Sequence, residues 1–168
     1  MTCDGCGFEY GSVPAEDVVP KLHELAARYA DHLAEHRGSD LRRRPSPEVW
    51  SALEYACHVR DVMLVMRERF LLVLREPSPP AFTPMGRDER VADDRYAEQA
   101  PDDVARQLVD ATAMLTFVFE GLDDEQWALT CIYNYPAPAD RTLAWVAQHT
   151  VHEAEHHLAD LVGSLPAG

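Results

Sequence analysis

Apolar residues recur every three or four positions through Val18, Leu22, Leu25, Tyr29 and Leu33, with polar residues filling most of the gaps. That is the period of a helix with one buried stripe, and it predicts a first helix over roughly 15 to 36. "RGSDLRRRP" interrupts the pattern. Ser46 followed by Pro47 then reads as the N-cap and first-turn proline of a second helix, which runs to about 74 because no Gly or Pro intervenes before Pro77. Residues 75–100 hold four prolines and many charges, which predicts a long connection, either a plain crossover or a lid. Pro101, Asp102 and Asp103 open a third helix whose stripe is Val104, Leu108, Ala111, Leu115 and Phe119, and Gly121 marks its end. A turn around "DDEQW" and the proline-bearing "YNYPAPAD" lead to a fourth helix from about 141 to 162, with Gly163 as its stop signal. No strand pattern stands out. Four helices and one long connection predict an all-α four-helix bundle, in which side chains from facing helices can jointly build a site.

Composition narrows the function classes. The chain has 168 residues, 46% of them hydrophobic, enough for one domain over 1–168 with a sizeable core. A formal charge of -14 repels phosphate backbones, and the basic cluster at 42–44 is too short to reverse it, so nucleic acid is not expected as a partner. There is no apolar run near the ~20 residues a membrane helix needs, and the first ten residues do not resemble a signal peptide. Four cysteines in a chain of this size do not look like a secreted disulfide framework. These features predict a cytoplasmic protein with reduced thiols and no membrane partner.

The chemistry concentrates in "HTVHEAEHHLADL", where His149, His152, His156 and His157 fall within nine residues beside Glu153 and Glu155. His152 and His156 share one helix face; Glu153 and His157 share another, rotated by ~100°. Either pair has the four-residue spacing that lets two side chains reach one ion. The apolar side, marked by Leu143, Val146, Ala147, Thr150, Ala154, Leu158 and Leu161, has His157 at its edge and Glu153 beside it. His152 and His156 point more nearly away, toward a solvated face. His58, the one histidine of the second helix, lies among Trp50, Leu53, Cys57, Val62, Met63 and Met66 and is the candidate partner from a facing helix. Two imidazoles and one carboxylate leave positions open on an ion, as a catalytic site does. His149, one turn before Glu153, is a candidate to support the ligands from behind or to serve as an alternative ligand, and Asp160, three residues after His157, to orient an imidazole.

Trp50 precedes His58 by eight residues, and Glu153, His157, Asp160 and Leu161 form Glu-x3-His-x2-Asp-Leu. In these motifs the chain resembles the DinB-like superfamily of metal-dependent thiol transferases, which includes the N-terminal domain of mycothiol-dependent maleylpyruvate isomerases. The resemblance implies an up-down-down-up bundle, frequently a homodimer, with zinc or nickel held by His58, Glu153 and His157. It also implies a low-molecular-weight thiol such as mycothiol or bacillithiol as cosubstrate. The isomerases' further C-terminal domain has no counterpart in the 168 residues, so isomerisation itself is not implied.

A divalent ion with an open position can hold a thiol as thiolate for attack on a small electrophilic substrate, in detoxification or metabolism. The rival expectation is a bundle that binds metal or sequesters a ligand without catalysis. Arg44, Tyr55 and Arg60 are expected near an acidic cosubstrate only through their closeness in sequence to His58. In "CDGCG", Cys3 and Cys6 read as a turn built on its glycines or as half of a metal site completed by other residues. Cys57 projects away from His58 and reads as a buried structural thiol.

Overall fold

In the computed structural model, residues 2–3 and 5–166 are described; Asp4 of the "CDGCG" motif lies outside them. Four long helices, α1 (Ala15–Glu35), α3 (Ala52–Arg75), α5 (Pro101–Glu120) and α7 (Leu143–Ser164), form the predicted bundle. Between them lie three short ones: α2 (Gly38–Arg42), α4 (Arg87–Asp93) and α6 (Asp124–Trp127). Around the bundle the order is α1, α5, α3, α7, which puts α1 diagonal to α3. Arg60 pairs with Gln107 and Phe70 with Phe119, so α3 and α5 run parallel. That parallel pairing needs a crossover, and it accounts for the long 76–100 connection. His58 meets His157, and Met66 meets Tyr133 just ahead of α7, so α7 runs antiparallel to α3. The result is the up-down-down-up order.

The apolar stripes predicted from periodicity are the core: Leu22, Leu25 and Tyr29 of α1, Leu108 and Leu115 of α5, and Leu143 and Leu161 of α7 are essentially inaccessible. Tyr29 also donates to the Ala154 carbonyl at 3.0 Å, tying α1 to α7 beside the histidine cluster.

Three boundaries differ from the sequence reading. α3 starts at Ala52, not near Ser46, because Ser51 and Glu54 form a reciprocal capping box: Ser51 accepts from the Glu54 N–H and Glu54 from the Ser51 N–H. α7 passes through Gly163 and stops at Ser164, where Leu165 is extended ahead of Pro166, the conformation a following proline favours. "YNYPAPAD" spans the end of one strand, a turn at 134–138 and the start of the next, in a hairpin whose antiparallel strands, β1 (Thr130–Tyr133) and β2 (Ala139–Thr142), pair Thr130 with Thr142 and Tyr133 with Ala139.

The 76–100 connection is folded onto the bundle. Phe82 donates to Ile132 and Ile132 to Pro80, a short parallel bridge to β1. Farther on, Tyr96 is buried and donates to the Asp61 carboxylate at 2.6 Å, while Arg60 reaches the same carboxylate at 2.8 Å and Arg90 at 3.4 Å. These bonds fix α4 and the single 3-10 turn at Tyr96–Glu98 over α3.

Candidate metal centre

His58, Glu153 and His157 each offer one donor atom, and these atoms lie within 4.8 Å of one another. The His58 and His157 rings meet edge to face with centroids 4.8 Å apart. His58 is 1% exposed, and neither of its ring nitrogens has a hydrogen-bond partner among the described residues. A buried polar atom left unpaired costs free energy. Both nitrogens are orphaned at a point where a second imidazole and a carboxylate converge, so the donor set fits a divalent cation.

The helix partners orient the set. His157 Nδ1 lies 2.9 Å from Asp160 Oδ2, which leaves Nε2 toward Glu153, 3.7 Å away. Glu153 sits among three imidazoles, with His152 Nδ1 at 3.4 Å and His149 Nε2 at 3.7 Å. Tyr10 Oη is 2.7 Å from His149 Nδ1, and Trp145 and Tyr135 stack on the His149 ring. His149 and Asp160 thus back the carboxylate and the second imidazole respectively.

Electrostatics follow from this burial. Desolvation, with His157 alongside, pushes His58 down to about 4, so it is neutral at pH 7 with a lone pair available. Desolvation also lowers His157, but Asp160 and Glu153 outweigh it and hold that ring at about 9. Burial would raise Glu153, yet the polar contacts with His152 and His157 and the charge of the nearby imidazoles keep it well below the usual carboxylate range. His149 is pushed down to about 4 by desolvation despite Glu153.

The triad lies on the wall of a cavity of about 530 Å³. Val62, Met66 and Arg69 of α3 continue the His58 face into it, Phe82 and Met85 of the connection cover one side, and Tyr133 and Tyr135 line another. Arg69 is held between the Phe82 and Tyr133 rings and donates to the Thr83 carbonyl at 2.7 Å. Neither Arg69 nor Tyr133 was picked out from sequence, though the 58, 62, 66, 69 spacing places Arg69 on the His58 face.

Other expectations divide. Tyr55 stacks on His157 at 5.7 Å, but Arg44 is bound to Glu54 at 2.6 Å and buried Arg60 to Asp61, Gln99 and Gln107. The two arginines serve α3 and its connection rather than the cavity. Cys57 is fully buried, and desolvation lifts its thiol to about 12. His152 and His156 are not solvated as expected: His152 is 2% exposed and His156 half-buried. The cause is the chain before α1, whose Phe8 and Tyr10 rings pack on His152.

Comparison with known proteins agrees with this fold. YfiT from Bacillus subtilis, a probable metal-dependent hydrolase with an unusual four-helix bundle topology, superposes with a TM-score of 0.81 at 19% identity, over 89% of this chain and 85% of that one. The mycothiol-dependent maleylpyruvate isomerase superposes with a TM-score of 0.72 at 14% identity, over 95% of this chain and 67% of that one. At such identities the likeness is one of fold. Among curated proteins none matches. The model of the DinB superfamily matches residues 21–161, and the chain belongs to that superfamily.

Proposed function

We propose that the protein is a metal-dependent transferase that activates a low-molecular-weight thiol of the mycothiol type for S-transfer to a small electrophile. The observation that carries this reading is His58: a buried imidazole with two unpaired nitrogens, facing Glu153 and His157 on the wall of a 530 Å³ cavity. His58, Glu153 and His157 would hold zinc or nickel. A divalent ion there supplies Lewis acidity, which favours the deprotonated form of a thiol whose free pKa is about 8.5. Mycothiol dependence in a protein of the same fold supports the choice of thiol.

The chain's own residues supply binding and orientation. Arg69, clamped by two rings and a carbonyl, presents a fixed cation to a carboxylate-bearing substrate. That matters in a chain whose net charge of -14 otherwise repels anions. Met66, Phe82 and Met85 give the cavity apolar walls that exclude water around the electrophile. Asp160 fixes the His157 ring through Nδ1. In the transfer, the thiol's proton passes to solvent, a bond forms between the sulfur and the electrophilic carbon, and the bond from that carbon to the leaving group breaks, its electron pair departing with the leaving group.

The test pairs element analysis with conjugation assays on wild type and His58→Ala, using mycothiol, bacillithiol and a generic haloaromatic acceptor. Thioether product from the metal-loaded wild type, absent from the variant, supports the proposal. Bound metal with no turnover for any thiol identifies a non-catalytic metal-binding bundle, and hydrolysis without thiol identifies a hydrolase.

A further inference from the structure

We propose that Cys3, Cys6, His152 and His156 form a second, tetrahedral metal site of zinc type, which fastens the chain before α1 to the histidine-rich helix. One donor atom from each of the four residues lies within 4.8 Å of the others. The residue types and spacing, Cys-x2-Cys with His-x3-His on a helix, are those of structural Cys2His2 zinc sites. The site is separate from the His58 set, and the proposal does not rest on the transferase reading.

Three further observations point to a ligand. His152 Nε2 and His156 Nδ1 are buried and have no hydrogen-bond partner among the described residues, so the ring atoms available as donors are unsatisfied. Both cysteines are unpaired thiols. The segment that carries them is shaped to meet the helix: Thr2 and Glu9 form an antiparallel bridge, Cys3 N–H donates to the Phe8 carbonyl at 2.9 Å, and Gly7 N–H to the Cys3 carbonyl at 2.8 Å. Gly7 has φ 77°, which turns the chain back after Cys6. A Cβ on Gly5 would lie 3.0 Å from His156 Cε1, so a larger residue there would press the turn and the ring apart by a few tenths of an ångström.

The arrangement has a structural consequence. Cys3 and His152 are far apart in sequence, and a cross-link that closes a long loop removes much chain entropy from the unfolded state. It also holds Phe8 and Tyr10 against α7, and Tyr10 is the hydroxyl partner of His149. Cys3, His152 and His156 line the same cavity as the triad, so this site would form part of its wall.

The experiment uses the full chain, purified under reducing conditions and loaded with zinc or cobalt alone. Wild type, His58→Ala, the Cys3→Ser/Cys6→Ser double variant and all three substitutions together are compared by element analysis. The double variant is expected to hold one ion fewer than wild type, and the combined variant none. Cobalt-loaded His58→Ala is expected to show thiolate-to-cobalt charge transfer and the intense visible bands of a tetrahedral ion, both lost with the cysteines. Equal metal content in wild type and the double variant overturns the proposal. So does a cobalt spectrum of His58→Ala without charge transfer, or a Cys3–Cys6 disulfide in the mass spectrum of the metal-loaded protein. If the double variant does not fold, the cobalt spectrum of His58→Ala decides alone. Loss of metal from His58→Ala with charge transfer retained would separate the two sites.

Discussion

Asp160 does two opposed things to ion binding at the His58 set, and replacing it by alanine should expose both. Its carboxylate holds His157 Nδ1 at 2.9 Å and so presents Nε2 to the ion; losing such an orienting partner costs about 10–100-fold in affinity. The same carboxylate, with Glu153, outweighs burial and raises His157 to about 9. A ligand must shed its proton before it binds. At pH 7, about two units below that value, ~99% of metal-free sites carry the proton. Competition therefore weakens apparent affinity about 100-fold relative to pH above 9, or about 2.7 kcal/mol. Wild-type affinity should rise nearly tenfold from pH 7 to 8 and about fivefold from pH 8 to 9, then level off. Asp160→Ala should bind about 10–100-fold more weakly above pH 9, yet the two proteins should converge toward pH 7, because the variant's His157 no longer holds its proton as tightly. Chelator-buffered cobalt titrations in a Cys3→Ser/Cys6→Ser background measure this directly. A constant ratio between the two proteins from pH 7 to 9.5, or a flat wild-type profile, would refute the reasoning.

Further outcomes follow from the same geometry. His58→Leu should abolish binding at this set while stabilising the metal-free fold by about 1–3 kcal/mol, since it removes unsatisfied buried polar atoms; urea denaturation with and without chelator reads both effects. The metal-free protein should be most stable near pH 6.5. His58 and His149, held at about 4, stay neutral in the fold while their unfolded counterparts take up protons below 6.5, so stability falls by up to about 2.7 kcal/mol per unit near pH 5. His157, raised to about 9, contributes fully below 6.5 and loses its share, about 3 kcal/mol, as pH rises through 9. Denaturant midpoints that do not vary between pH 4.5 and 9 would contradict both assignments. Asp61→Ala should cost about 3–5 kcal/mol, because it leaves buried Arg60 without its carboxylate and frees Tyr96; it should also raise hydrogen exchange in residues 87–98.

The bundle was readable because its helices carry a single apolar period, and the chain's one long connection is what a parallel α3–α5 pair requires. The start of α3 was misread because Ser46-Pro47 imitates a helix opening, while the Ser51-x-x-Glu54 capping box that decides the matter is four residues of ordinary composition. β2 was invisible for a different reason. Its sequence, Ala-Asp-Arg-Thr, has little strand preference, and it is extended because it pairs with β1. The convergence of His58 with Glu153 and His157 was foreshadowed by a lone histidine on an apolar helix and by the apolar stripe beside a Glu-x3-His pair, while four-residue spacing alone suited His152 and His156 equally. The surroundings of His152 and His156 were not legible, because the helical-period argument assumes one buried face. The stretch before α1 has no periodicity of its own, and its Phe8 and Tyr10 give α7 a second buried face.

That second face makes the two donor sets neighbours on one helix, and it decides which substitution can tell them apart. Four positions, 152, 153, 156 and 157, alternate between two directions ~100° apart: His152 and His156 toward the cysteines, Glu153 and His157 toward α3. His152 belongs partly to both, since its Nδ1 lies 3.4 Å from Glu153 Oε1 and 3.3 Å from Tyr10 Oη while Nε2 is left over. Removing His152 takes a donor from one set and a neighbouring imidazole from the carboxylate of the other, so metal lost on His152→Ala does not identify the site it came from. Cys6 and His58 have no such double membership: Cys6 touches only the first set and His58 only the second. Substitution at these two positions, read by metal content and by the cobalt spectrum, is therefore the pair of measurements that assigns each ion to its ligands.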